Sequence, residues 1–496
     1  MTDLNIDYGT ERIADAEYLD RLQRVQQRLR QEGLSVGLAY ATEHMPGDVQ
    51  YLTGYDPHLE NVALLVLPQQ LVVLGGAEGE KMFEDMGRAG IWRNLSLFEI
   101  PFQDYGGLRF HTLSEILQEF LGHIPAEVGL LSAPNVLSQE IVAMALTAGN
   151  GGEVRLRDVS RIMADARYHK SPAELQMYRI ASRIASEAMR AMLATVAPGK
   201  RELEVAAAGD AVCKSLGAYS YGFETMVCSG PRINTIIGRS MNRVIQKGDL
   251  VMLGVSPRYE GYTSAMGRTV VAGGASPEQA AFLDHGIRAH ELAISKLAAG
   301  KPARDVDLAA RDYLDSVGLG QYHTYGVGHG IGFTECLEEK TATKSSGYDL
   351  PAGIAMMIDV GLFGHPLHYG ARHEDPYLIS HDGKTGKLTD LPMKVYFLAA
   401  DGSSALLLGN TMMPKGADLF RPVDRNLLLD QRSYPAPRTS FTAPAMASTM
   451  MSASAVVRHS GGAKPMMSDC GIARPITPRD RSAAASVGPS LRDGSK

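Results

Sequence analysis

The sequence predicts an α+β protein: a smaller α/β unit followed by a larger unit of long helices and strand hairpins. Three observations carry this reading. Residues 1 to about 160 alternate helical and strand patterns. Residues 161 to about 415 combine strongly capped helices with paired strands. From about 433 to 496 all periodicity is lost, which reads as a disordered, low-complexity tail.

The elements follow in order. "EYLDRLQRVQQRLRQEGL" is an amphipathic helix with Leu19, Leu22, Val25 and Leu29 on one face and Gly33 ending it. "NVALLVLP" and "QLVVLGG" are short buried strands, each stopped by turn residues. The second unit opens with a helix that Ser171 caps. Pro172 suits its first turn and Glu174 completes a capping box. Leu175, Tyr178, Ala181, Ala185, Ala188 and Met192 then form one apolar stripe, and Pro198-Gly199 stops it. "KGDLVMLGVSPRYEGYTSAMGRTVVAGG" reads as two strands joined by a turn around Arg258 to Gly261. A long helix is expected from about 277 to 298, and "GIAMMIDVGLF" and "ARHEDPYLIS" have strand character.

Composition sets the outer limits. The chain has 496 residues, 45% apolar and 21% charged, which is ordinary for a soluble globular protein with large cores. A net charge of −6 offers no basic stripe for nucleic acid. No apolar run is long enough to span a membrane, and the polar, acidic start does not read as a signal peptide. Cys213, Cys228, Cys336 and Cys470 are scattered without a CxxC pair, so neither a disulfide scaffold nor a cysteine zinc site is expected. A cytoplasmic location is the expectation.

"RYHKSPAELQMYRIA", "VAPGKRELEV", "KGDLVMLGV", "YEGYTSAMGRTV", "GVGHGIG" and "ARHED" occur in one order along the chain. That order resembles the pita-bread hydrolases: methionine aminopeptidase, aminopeptidase P, prolidase and creatinase. "QYLTGYDPHLENVALLVLP" looks like the amino-terminal domain of the prolidase, aminopeptidase P and creatinase branch. The resemblance covers residues 15 to about 415. It implies a creatinase/prolidase-type domain over 1–160, a pita-bread domain over 161–415, and a homodimer.

Peptidases of this family hold two metal ions with Asp, Asp, His, Glu and Glu. Carried over by position, the two aspartates fall on Gly254 and Ala265, which have no side-chain oxygen. The histidine is His329, the first glutamate position is Asp359 and the last is Glu374. A two-ion centre is therefore not expected. No cofactor is called for, and a single divalent ion on His329, Asp359 and Glu374 stays open. Ala265 followed by Arg268-Thr269, and Tyr325 where peptidases often carry a second histidine, lean towards the metal-independent creatinase branch. That mechanism does not carry over whole. Creatinase draws a histidine base from the segment matching "VCSGPRINTIIGRSMNR", which here has none; Ile237 stands near that position, and Gly267 replaces a hairpin glutamate.

The catalytic candidates are thus His329, Asp359 and Glu374. The flanking glycines expose the histidine ring, and two neighbouring carboxylates can split into an acid and a base. Arg268 and Arg372 are candidates for gripping a substrate carboxylate or for simple ion pairing. Tyr325 and Tyr262 are candidates for hydroxyl donors, with packing favoured for Tyr262. Cys228 and Cys336 read as structural thiols, and Glu335, Glu338 and Glu339 as solvated. Three functions stay open: a metal-independent creatinase-like hydrolase of a small C–N bond, an Xaa-Pro-type metallopeptidase with a degenerate metal site, and a non-catalytic binding protein. In each the partner is a small molecule.

Overall fold

The computed structural model describes residues 11–100, 105–149, 153–333, 338–393, 396–398, 404–408 and 411–412. The expected tail from 433, and the expectations for Glu335 and Cys336, lie outside the described residues. The described residues belong to one compact unit. Among the described residues, no helix is long and apolar enough to cross a membrane.

The first helix, Asp15–Gln31, forms where its apolar spacing placed it. It buries Tyr18, Arg21, Leu22, Val25, Gln26 and Leu29, while Leu19 is 56% exposed. The buried stripe therefore sits one step round from the expected face: it takes in Tyr18 and Arg21 and leaves Leu19 to solvent. Six strands follow: β1 (Gly37–Ala41), β2 (Val62–Val66), β3 (Leu71–Gly75), β4 (Ile91–Asn94), β5 (Glu127–Leu130) and β6 (Arg155–Asp158). They make one sheet in the order β4-β3-β2-β1-β5-β6, antiparallel at its centre and parallel towards both edges.

The helix Pro172–Thr195 carries the expected reciprocal cap: Glu174 N–H donates to Ser171 Oγ, and Ser171 N–H donates to Glu174. Its whole apolar stripe is buried. It packs on β8 (Leu250–Tyr259), which with β7 (Ser220–Ser229), β9 (Tyr262–Thr263) and β10 (Met266–Ala272) builds one side of a second, twelve-stranded sheet. Beside them lies a half formed around β11 (Gly328–Gly330), β12 (Glu338–Ala342), β13 (Ile354–His365) and β14 (Tyr369–Ile379). The strand order β12-β11-β13-β14-β10 continues through β8 to β7. Helices Pro277–Ile294 and Ala303–Ser316 pack beside this half.

The two sheets are tied by a buried polar cluster. Arg21 donates to the Tyr51 carbonyl at 2.9 Å, to Glu17 at 2.7 Å and to Tyr262 Oη at 2.8 Å. The Tyr262 hydroxyl donates to Glu174 at 3.2 Å. Glu338, expected on the surface, is 3% exposed. It accepts from Phe333 N–H at 3.1 Å and faces Arg167 and Lys170. Its local sequence is acidic and loop-like; only the distant cations make burial tolerable.

Candidate functional site

Strand pairing assembles the site. Residues directly opposite each other in an antiparallel ladder point to one face. One such row crosses five strands: Met226 on β7, Gly254 on β8, Gly267 on β10, Glu374 on β14 and Asp359 on β13. His329 on β11 pairs with Met357, two residues before Asp359, and so shares that face. The three residues converge: a ligand atom from each lies within 4.8 Å of the others. His329 Nε2 is 3.7 Å from Glu374 Oε1. His329 Nδ1 is 3.2 Å from the Gly330 carbonyl, which can only accept. Nδ1 therefore carries a proton, and Nε2 is the ring atom that faces the carboxylates.

Charge is unbalanced here. Asp359 and Glu374 are 4% and 1% exposed, and the one guanidinium among them is Arg372, whose Nε is 3.5 Å from Asp359 Oδ1. Glu374 Oε2 is buried with no hydrogen-bond partner. Burial pushes the Asp359 carboxyl up to about 6, against the pull of Arg372. Two buried carboxylates with one cation leave room for a second positive charge. Gly267 clears space for Arg372: a β-carbon there would lie 2.9 Å from its Cγ and Cδ. Tyr325 lies over the backbone of Gly361, where any β-carbon would overlap its hydroxyl.

Strand parity separates the remaining candidates. Arg372 precedes Glu374 by two and stays on its face. Arg268 is one residue from Gly267, so it points to the opposite face. There Nη2 is 2.9 Å from each Asp375 oxygen, and Nη1 donates to the carbonyls of Gly267 and Glu374. Its donors are committed to structure, a correction to its candidacy for substrate binding. Tyr262 is likewise away from the site, bonded to Arg21 and Glu174 and packed on Tyr178 and Phe333. Cys228 is fully buried, and burial pushes its thiol up, which fits a structural role.

Three residues that hold the site were not singled out in the sequence. Asp307 is buried on helix Ala303–Ser316 and accepts from Val327 N–H at 2.9 Å, Lys344 N–H at 2.8 Å and Arg311 Nε at 2.6 Å. Arg311 donates to the Tyr325 carbonyl at 2.7 Å, and His323 Nδ1 to that of Gly361 at 2.9 Å. Asp359 N–H in turn donates to the Val327 carbonyl at 2.8 Å. This clamp sets the 323–327 segment, and so Tyr325, against β13. The i, i+4 spacing of Asp307 and Arg311 was a visible signal, but of an ordinary helix pair.

Among the described residues, three donors converge, which fits one ion. Three convergent donors and an orphaned carboxylate oxygen suit a single divalent cation. At Gly254 a β-carbon would lie 2.9 Å from Met226 Cε and 3.5 Å from Phe223 Cε2. Met226 and Phe223 border the space beside Gly254, and Ala265 is fully buried with nothing to donate.

Known proteins place this architecture. Residues 176–381 match the model of Metallopeptidase family M24. The Xaa-Pro dipeptidase of Pyrococcus furiosus is 30% identical over 230 residues, 46% of this chain. The chain thus spans 65% of the length of that relative. The prolidase structure from Pyrococcus horikoshii OT3 superposes with a TM-score of 0.64 at 22% identity, over 75% of this chain and 99% of that one. The Xaa-Pro dipeptidase structure from Bacillus anthracis gives 0.65 at 22% identity, over 77% and 100%. The fold is the pita-bread fold of the M24 metallopeptidases, with a mixed α/β amino-terminal part. The relatives and structures named above are a prolidase and Xaa-Pro dipeptidases. This corrects the lean towards the creatinase branch, which rested on a few hairpin residues.

Proposed function

We propose that this protein is a hydrolase of Xaa-Pro-type dipeptides that works with one divalent ion instead of two. The carrying observation is the convergence of His329, Asp359 and Glu374 within 4.8 Å on a face whose two further ligand positions are Gly254 and Ala265. Its relatives named Xaa-Pro dipeptidase support the substrate class. An ion bound there supplies a Lewis acid and a water acidic enough to attack an amide near neutral pH. His329 would bind through Nε2 while Gly330 O holds its other nitrogen, which fixes the ring. Asp359 and Glu374 would contribute one oxygen each. Arg372 and the Tyr325 hydroxyl stand beside them to orient the substrate's carboxylate or scissile carbonyl.

The test is metal analysis of the purified full chain with titration of Mn²⁺, Co²⁺ and Zn²⁺, followed by a panel of Xaa-Pro dipeptides. The expected result is one ion per chain and ion-dependent proline release, both lost in His329→Ala and Glu374→Gln. Two ions per chain, or proline release indifferent to chelation and to His329→Ala, would overturn the reading.

A further inference from the structure

The catalytic face does not end at the three converging residues. Its row runs from Glu374 on β14 through Gly267 on β10 and Gly254 on β8 to Met226 on β7, a lateral distance of about 14 Å at the usual strand spacing. Phe223 pairs with Ser256, the next alternate position along β8, so it rises on the same face. Its half-buried ring has two kinds of neighbour. On one side Cε2 borders the space beside Gly254, 3.5 Å from where a β-carbon would stand. On the other the ring lines a cavity of about 540 Å³, shared with Tyr219, Pro57 and Met82 and within the range of ligand-binding clefts. Phe223 therefore stands between that cavity and the row that leads to the cluster.

The charges along this path fix which way a peptide lies. At the cluster, Arg372 is the guanidinium that meets a substrate carboxylate, which places a carboxyl-terminal proline there. On the β8 side the two further ligand positions are Gly254 and Ala265, and Met226 and Phe223 border the first. With Asp359 and Glu374 committed to the ion, the free ammonium of a dipeptide would stand on that side without a counter-charge, at a desolvation cost. A peptide bond in place of the ammonium removes the charge. Farther along, Asp56 is paired with Arg258, which leaves Glu43 and Glu224 against Lys214 on the cavity lining. That balance suits the amino-terminal end of a peptide and not a second carboxylate.

We propose that the site releases proline from the carboxyl terminus of peptides longer than two residues, and that the cavity beside Phe223 takes an aromatic or large apolar side chain of the third residue before the scissile bond. The proposal rests on the Xaa-Pro reading above and narrows its substrate class. Three extended residues span about 10 Å, and an aromatic side chain covers the remaining distance to the cavity. Hydrolysis breaks the C–N bond to the proline nitrogen. The hydroxyl of the water goes to the carbonyl carbon and its proton to that nitrogen, so free proline and a peptide shorter by one residue leave.

The test has two readouts. Calorimetry measures the binding of Ala-Pro, Phe-Gly-Ala-Pro and Ala-Pro-Gly-Phe to the chelator-treated full chain, and proline release from the first two is followed with Mn²⁺ added. Phe-Gly-Ala-Pro should bind at least tenfold more tightly than Ala-Pro and show a kcat/KM at least tenfold higher. Ala-Pro-Gly-Phe, extended at the other end, should bind no more tightly than Ala-Pro. Phe223→Ala and Met82→Ala, each with its far-ultraviolet circular dichroism kept, should each lower the affinity for Phe-Gly-Ala-Pro at least threefold. Tetrapeptide binding no tighter than that of Ala-Pro, an equal gain from the carboxyl-terminal extension, or a gain untouched by both variants would overturn the proposal, and cleavage of Ala-Pro in those cases would leave the Xaa-Pro reading standing. The expected order of affinities with proline release from neither peptide would instead overturn the Xaa-Pro reading and support the subsite.

Discussion

Gly254→Asp tests most directly the proposal that the site takes one ion. In the pita-bread peptidases this position is an aspartate; here Met226 and Phe223 border the space beside it. An added β-carbon would stand 2.9 Å from Met226 Cε, closer than such carbons tolerate, with Phe223 Cε2 at 3.5 Å. The terminal methyl of the methionine must swing aside, a small cost for the far end of a flexible side chain. The new carboxylate would enter a row that already holds two buried carboxylates and one guanidinium, and its burial is the main term. A loss of about 3 kcal/mol in denaturant unfolding follows. Because the methionine yields easily, a double-mutant cycle with Met226→Ala should return a coupling below about 1 kcal/mol. The assay is urea unfolding with and without 1 mM Mn²⁺, alongside metal stoichiometry. A Gly254→Asp chain that binds two ions, and is stabilised by them with Met226 intact, would refute the argument.

Other changes probe different parts of the structure. Arg268→Met should destabilise the fold by about 3–5 kcal/mol in urea unfolding, because the buried Asp375 keeps only the half-buried Lys387 as an ion-pair partner among the described residues; a higher KM with unaltered stability would instead mark Arg268 as a substrate group. Asp307→Asn keeps one acceptor oxygen but loses the charge that gathers Val327, Lys344 and Arg311. It should weaken ion binding about tenfold while the far-ultraviolet circular dichroism is kept, and unaltered ion affinity would remove it from the positioning role. His290 is buried, with Nε2 on the Ile358 carbonyl and Nδ1 unpartnered, and burial pulls its ring from 6.5 down to about 4. The unfolded ring gains its proton near 6.5 and the folded ring only near 4, so the unfolded state binds more protons between these values. Its contribution is full above pH 6.5 and shrinks as pH falls to about 4, a loss on the order of 3 kcal/mol. His290→Gln should flatten that part of the stability-against-pH curve, and an unaltered slope would contradict the assignment.

What the sequence determined by itself was local and periodic. The cap at Ser171, the apolar stripe behind it, the hairpin turn around Arg258 to Gly261 and the strands around Asp359 and Glu374 all follow from spacing and turn chemistry over a few residues. The order of motifs pointed to the pita-bread fold, and the identities at 254 and 265 set the expectation, still to be tested, against a two-ion centre. Other properties needed the tertiary structure, because they depend on which distant strands pair and in what register. That register put Arg372 with Glu374 and turned Arg268 to the opposite face, a distinction no composition carries. It also buried Glu338 against Arg167 and Lys170, and drew Met226 from another strand over Gly254. A chain can declare that a carboxylate is missing; only packing shows which side chains stand beside its place.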